Sequence, residues 1–121
     1  MNVKYTKDHE WVKLQGDHAL IGITAFAADQ LGDIVFIDVY TVGDTLEKEA
    51  VFGTIEAVKT VSDLLLPIGG EVVEFNEELE GNPGLINSDP YGAGWIIKIK
   101  ISDPAEFDEL LTEEQYKEFI G

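Results

Sequence analysis

Seven residues late in the chain, Trp-Ile-Ile-Lys-Ile-Lys-Ile (95–101), alternate too strictly to suit a helix. In an extended backbone Trp95, Ile97, Ile99 and Ile101 fall on one side, while Lys98 and Lys100 fall on the other. Such a strand needs partners for its backbone groups and a cover for its apolar face. The rest of the chain offers both. HALIGI (18–23), IVFIDVY (34–40), VFGTI (51–55), LLLPI (64–68) and EVVEF (71–75) are short runs rich in branched and aromatic residues. Gly43-Asp44 and Gly69-Gly70 punctuate them. Between 81 and 94 six of fourteen residues are Gly or Pro, which reads as an ordered loop and not as an element.

Helical signals are few and short. TAFAADQLG places Thr24 as an N-cap, Phe26 and Leu31 as inward residues and Gly32 as a stop, for one helix near 25–31. The tail, about 103–120, reads as two more. Ser102 or Asp103 caps the first, with Pro104 in its opening turn, and Thr112 and Gln115 have capping-box spacing for the second. Phe107, Leu110, Leu111, Tyr116, Phe119 and Ile120 are expected to face the body, leaving the tail's seven acids and one lysine mainly in solvent. TVGDTLEKEAVFGTI and PIGGEVVEFNEELEG echo each other weakly, which suggests two related halves with a hairpin between them.

A length of 121 residues suits a single domain, 1–121. The 24 acids against 8 lysines, with no arginine, give a formal charge of −16. That surface repels nucleic-acid phosphates and anionic membranes, so neither is expected as a partner. It suits proteins with basic docking faces, and equally it suits a soluble monomer. There is no cysteine, so thiol redox chemistry has to come from an attached group. The N-terminal residues lack the apolar core of a signal peptide, and no run is long enough to span a bilayer. A cytoplasmic protein is expected, and a processed mitochondrial form would read the same. His9 and His18 lack the neighbours of a metal site, and His9 is expected to be packed or hydrogen-bonded locally.

The stretch GTIEAVKTVSD (53–63) turns the chain between two strands, with its tip at about 56–62 and Lys59 close to the middle. An amine there projects into solvent, where an enzyme can reach it. Val58 and Val61 are apolar for a loop and suggest a contact surface. Spacing alone leaves another reading in place, a solvated lysine with its valines tucked back onto the sheet. A Schiff-base enzyme is a further alternative, but it needs a buried lysine of lowered pKa.

Four blocks carry a resemblance that spans nearly the whole chain: YTKDHEWV, IGIT with QLGDIVF, GTIEAVKTVSDLLLPIGGEVVEFN, and LINSDPYGAGWIIKIK. In this order they resemble the glycine cleavage system H protein family, although Ala57 and Thr60 stand where that family often has Ser and Ala. The resemblance implies a barrel-sandwich hybrid of the lipoyl/biotinyl-carrier type, mainly β with short helices and a C-terminal helical tail. It implies lipoate bound through an amide to Lys59, with Glu56, Val58 and Ser62 recognised on the hairpin. It also implies a groove for the loaded arm beside the HEW block, with Glu10 as the candidate carboxylate and Asp8 and Asp63 as neighbours. The chain itself is then a carrier and not an enzyme. Its implied partners are a pyridoxal-phosphate glycine decarboxylase, a tetrahydrofolate-dependent aminomethyltransferase, dihydrolipoamide dehydrogenase and a lipoate-attaching enzyme. A lipoate relay or reservoir would use the same lysine. A biotinyl carrier fits less well, since those domains flank the lysine with methionine and the only methionine here is Met1.

Overall fold

The structure, a computed structural model, describes residues 3–121. Nine strands and five short helices follow in the order β1 (Val3–Tyr5), β2 (Glu10–Gln15), β3 (His18–Ile23), α1 (Ala25–Leu31), β4 (Ile34–Val39), β5 (Thr45–Leu46), β6 (Val51–Ala57), β7 (Val61–Leu65), β8 (Gly70–Phe75), α2 (Glu78–Gly81), α3 (Leu85–Ser88), β9 (Ile97–Ile101), α4 (Ala105–Asp108) and α5 (Glu113–Ile120). They build two antiparallel sheets, one of six strands in the order β1-β2-β3-β9-β8-β5 and one of three in the order β4-β6-β7. This is the mainly β lipoyl-domain architecture expected from the sequence. Among the described residues no helix is long and apolar enough to cross a membrane.

The core lies between the sheets. Val12, Ile21, Val72, Ile97 and Ile99 point in from the larger sheet, and Ile37, Phe52, Ile55 and Leu64 from the smaller. The alternation of Ile97 and Ile99 with the lysines puts β9 at the centre of the large sheet, between β3 and β8. The two segments that echo each other meet at one edge of the same sheet: β5 pairs with β8, Thr45 opposite Glu71 and Leu46 opposite Gly70.

Several elements differ from the sequence reading. Strands β1, β2 and β5 carry no clear signal, because EWVKLQ starts with a buried acid and the other two are only three and two residues long. The LLLPI run is shifted: β7 begins at Val61 and stops at Leu65, ahead of Pro67, which has no N–H to give a ladder. Trp95 and Ile96 precede β9 and are not part of it. The stretch 81–94 is not purely loop, since α3 occupies one turn of it around the buried Ile86. Four residues are too few to display a helical period. Its surroundings are tied by the Asn76 side-chain amide, which donates to the carbonyls of Ala93 and Trp95, both at 2.8 Å.

Capping chemistry was more legible. Thr24 caps α1, accepting from the Ala27 N–H at 3.2 Å, and Thr112 with Gln115 forms the capping box of α5. Pro104 takes the cap position of α4 while the Asp103 carboxylate accepts from the Ala105 N–H. The inward residues were partly misplaced. Ala28 is the buried residue of α1, with Phe26 and Leu31 half-buried, and Phe119 of α5 is 48% exposed. Phe107 and Tyr116 are buried as expected.

Trp11 of β2 lies across its cross-strand partner Gly22, and its indole N–H donates to the Pro90 carbonyl at 2.9 Å. A Cβ at position 22 would stand 2.7 Å from the indole ring, which is 1% exposed and held at its nitrogen. Gly22→Ala should therefore cost about 1–3 kcal/mol of unfolding free energy in a denaturant titration. A cost within error of zero would mean the indole moves freely.

Candidate functional site

The reversal between β6 and β7 takes only three residues, Val58–Thr60. The Ala57 N–H donates to the Thr60 carbonyl at 2.8 Å and closes the loop. The Val58 N–H donates to Asp33 in the turn before β4 at 3.1 Å and ties the loop to the neighbouring edge. Ala57 is buried beneath the tip, while every residue from Val58 to Asp63 is exposed. Lys59 thus stands outside the sheet on a braced turn. Among the described residues it joins no ion pair.

The valines do not tuck back: Val58 is 69% exposed and Val61 is 63% exposed. The ladder places Phe36, Glu56 and Val61 in one row across the small sheet, with Phe36 56% exposed. Next to the lysine there is therefore an apolar band around one carboxylate. Behind it runs a second row, Asp38, Thr54 and Asp63. Ser62 is exposed on β7 between the two rows.

Glu10 and Asp8 lie elsewhere, and they lie together. A cleft of about 240 Å³ is walled by Thr6, Asp8 and Glu10 on one side and by Leu65, the last residue of β7, with Leu66 and Pro67 on another. Lys48 and Glu49 close a third side, and Glu109–Leu111 of the tail a fourth. Asp63 does not line it. Two residues before Leu65 on the same strand face, Asp63 stands between the lysine and the cleft. From Lys59 to Leu65 the chain covers roughly 20 Å if extended. A bare lysine side chain reaches only about 6 Å from its Cα, so the amine alone cannot touch Glu10. An acyl group on that amine extends its reach along β7 toward the cleft.

Thr6 builds the turn that presents Glu10. Its hydroxyl donates to Glu10 Oε1 at 2.9 Å and accepts from the N–H groups of Asp8 and Glu10, both at 3.2 Å. Between these residues His9 adopts a left-handed backbone, φ 66°. Its ring is packed as expected, with Nδ1 2.9 Å from the Tyr116 hydroxyl and the ring centroid 4.7 Å from that of Phe26. His18 pairs with Asp17 on the far side of the molecule. No group of three or more His, Cys, Asp or Glu side chains among the described residues could hold a metal ion.

Glu10 is only 6% exposed, and the cost of burying a charge raises its carboxyl pKa from 4.5 to about 8. The charges of Asp8 and Glu49 push the same way, while hydrogen bonds from Thr6 and the Leu65 amide pull back. A carboxyl in this position ionises readily once a cation faces it. The cleft residues Lys48, Glu49 and Leu65–Pro67 and the tail wall were not read from the sequence. They come together only through the fold, and Glu49, at φ 71°, has no sequence signal for its backbone.

The shift has a consequence for stability. Between pH 4.5 and 8 the folded protein holds a proton on Glu10 that the unfolded chain has released, so this group's contribution is full below 4.5 and is lost as pH rises to 8. Glu10→Gln should remove that slope, so that the variant loses less stability than wild type between pH 5 and 8. Parallel pH–stability curves for the two proteins would place the Glu10 pKa near its ordinary value.

Comparison with known proteins supplies the family. A family model described as "Glycine cleavage H-protein" matches residues 3–121. A glycine cleavage system H protein of Bacteroides fragilis is 60% identical over 120 residues, covering 99% of this chain and 95% of its own. One of Staphylococcus carnosus is 50% identical over 119 residues, 98% of this chain and 94% of its own. The crystal structure of a glycine cleavage system H protein from Mycobacterium marinum superposes with a TM-score of 0.87 at 38% identity, over 97% of this chain and 94% of that one.

Proposed function

Because this chain belongs to the glycine cleavage H-protein family, whose members carry lipoate on a lysine, we propose that Lys59 is the lysine that bears it. The chain is a lipoyl carrier of the glycine cleavage system and not itself a catalyst, and it works with that system's enzymes. The observation that supports Lys59 is its exposure at the tip of a three-residue loop, with the Ala57 and Val58 N–H groups just before it tied down. When bound, the lipoyl group supplies a ring disulfide that opens to take up a one-carbon amine and later yields a dithiol for reoxidation.

The residues around the loop do the rest. Val58, Val61 and Phe36 offer apolar area to a docking protein, and Glu56 among them offers one charge to orient it. Ser62 adds a polar contact at the strand edge. A lipoate-attaching enzyme, glycine decarboxylase, aminomethyltransferase and dihydrolipoamide dehydrogenase each need to approach this tip. A net charge of −16 steers partners with basic faces towards it, an attraction that salt weakens. Tethering raises the effective concentration of the carried group at whichever partner is docked.

Between visits, the cleft beside Glu10 serves as a resting place for a cationic arm terminus. Its walls limit access of water, Glu10 supplies the counter-charge, and Asp8 at the cleft and Asp63 on the way to it add negative potential.

Two experiments test these assignments. Lys59→Arg keeps the charge but should abolish incorporation of lipoate by a lipoate-attaching enzyme, read as loss of the mass increment on the intact protein. Full incorporation in the variant would move the site to another lysine. Binding of methylammonium, a small stand-in for the arm terminus, should strengthen with pH until Glu10 is ionised. With a pKa of about 8, affinity at pH 7 should be about tenfold below its plateau. Affinity that does not change with pH, or is unchanged in Glu10→Gln, would remove Glu10 from the site.

A further inference from the structure

The cleft beside Glu10 has one wall that the carrier scaffold does not need for folding the hairpin: the tail. Glu106 Oε1 accepts from the Gly69 N–H at 2.8 Å, just past Pro67 on the opposite wall. Leu111 exchanges two backbone hydrogen bonds with Tyr5, each 2.8 Å, just before Thr6. Anchored at both ends, Glu109–Leu111 spans the cleft's fourth side.

The helix that follows reaches back to the same turn. Tyr116 stacks on Tyr5 with ring centroids 4.9 Å apart, and it is buried. Its hydroxyl sits 2.9 Å from His9 Nδ1 and 2.8 Å from Thr24 Oγ1, while Thr24 caps α1 and donates its own N–H to the His9 carbonyl. His9 is the residue with left-handed backbone between Asp8 and Glu10. A non-glycine residue there is held by its surroundings, and here the surroundings are Tyr116, Thr24 and Phe26. Freeing the imidazole would let the turn relax and swing the Glu10 carboxyl toward water.

We propose that Tyr116 is a positioning residue for the arm cleft, acting through His9 to hold Glu10 in its buried position while the tail it belongs to closes the cleft. The proposal builds on the assignment of the cleft to the arm, but concerns this chain's own side chains and is readable without any lipoyl group. Of the tail's acids, Glu106 anchors it and Glu109 lines the cleft. The titratable and charged groups around Glu10 come from three segments: Tyr5, Lys7, Asp8 and His9 from β1 and its own turn, Lys48 and Glu49 from the loop after β5, and Glu109 from the tail. Tyr116→Phe alters none of these charges, so a change in Glu10 reports its position.

The test is a carbon-13 NMR titration of the Glu10 carboxyl in the unlipoylated protein. Tyr116→Phe should lower the Glu10 pKa from about 8 by about one unit or more, because a loosened turn admits water. His9→Gly keeps the left-handed backbone while deleting the ring, and should lower it similarly. Lys117→Ala, which removes the exposed pair with Glu113 on the same helix, should leave it unchanged. An unshifted Glu10 in Tyr116→Phe or His9→Gly would overturn the proposal. So would an equal fall in Lys117→Ala, which would mark a general loosening of the helix. None of these outcomes depends on which lysine carries lipoate, so failure here and failure of the Lys59 assignment are separable.

Discussion

Two hydrogen bonds decide what this chain can do with a lysine. Ala57 to Thr60 closes the loop, and Val58 to Asp33 braces it from outside the hairpin. Without them a loop between two strands would wander, and an enzyme would have to order it before acting, at a cost of about 1–2 kcal/mol for each residue fixed. With them the backbone is ordered in advance and the long side chain alone remains free. Ala57, just beneath the tip, is buried. Rigidity below and freedom above are what a swinging carrier needs.

The second constraint is electrostatic. Of the chain's 24 acids, Glu10 is the one that the fold buries. Burying an unpaired carboxyl costs free energy unless it is neutralised, and the raised pKa shows how this one is accommodated. The carboxyl is kept protonated until a cation arrives to face it. On the proposed function, the cleft is complementary to a cationic state of the arm and not to the bare protein. Thr6, His9, Thr24 and the tail's Tyr116 all hydrogen-bond within or onto the turn that carries Glu10.

Some of this was legible in the sequence and some was not. The alternation of Ile97, Lys98, Ile99 and Lys100 announced a half-buried strand, and Thr24 and Thr112 announced helix starts, because these signals are local. Strand β2 was missed because Glu10, its first residue, is a buried acid and breaks the apolar pattern. Lys59 stood out through its place in a turn and through the resemblance of the blocks around it. The cleft was half seen. Asp8 and Glu10 share it, while Asp63 stands on the approach, a difference set by how far β7 runs before Pro67. The wall formed by Glu109–Leu111 and the link from Tyr116 to His9 join residues about a hundred positions apart, and no periodicity or spacing encodes such a meeting.

The most direct test of the account is a nitrogen-15 relaxation measurement on the unmodified protein, comparing backbone amides at Val58, Lys59 and Thr60 with the motion of the Lys59 side chain. A braced turn predicts backbone order parameters of about 0.85, like those of the flanking strands, together with a fast, disordered side chain. Backbone values below about 0.6 at the tip, or a Lys59 side chain as ordered as its backbone, would contradict it.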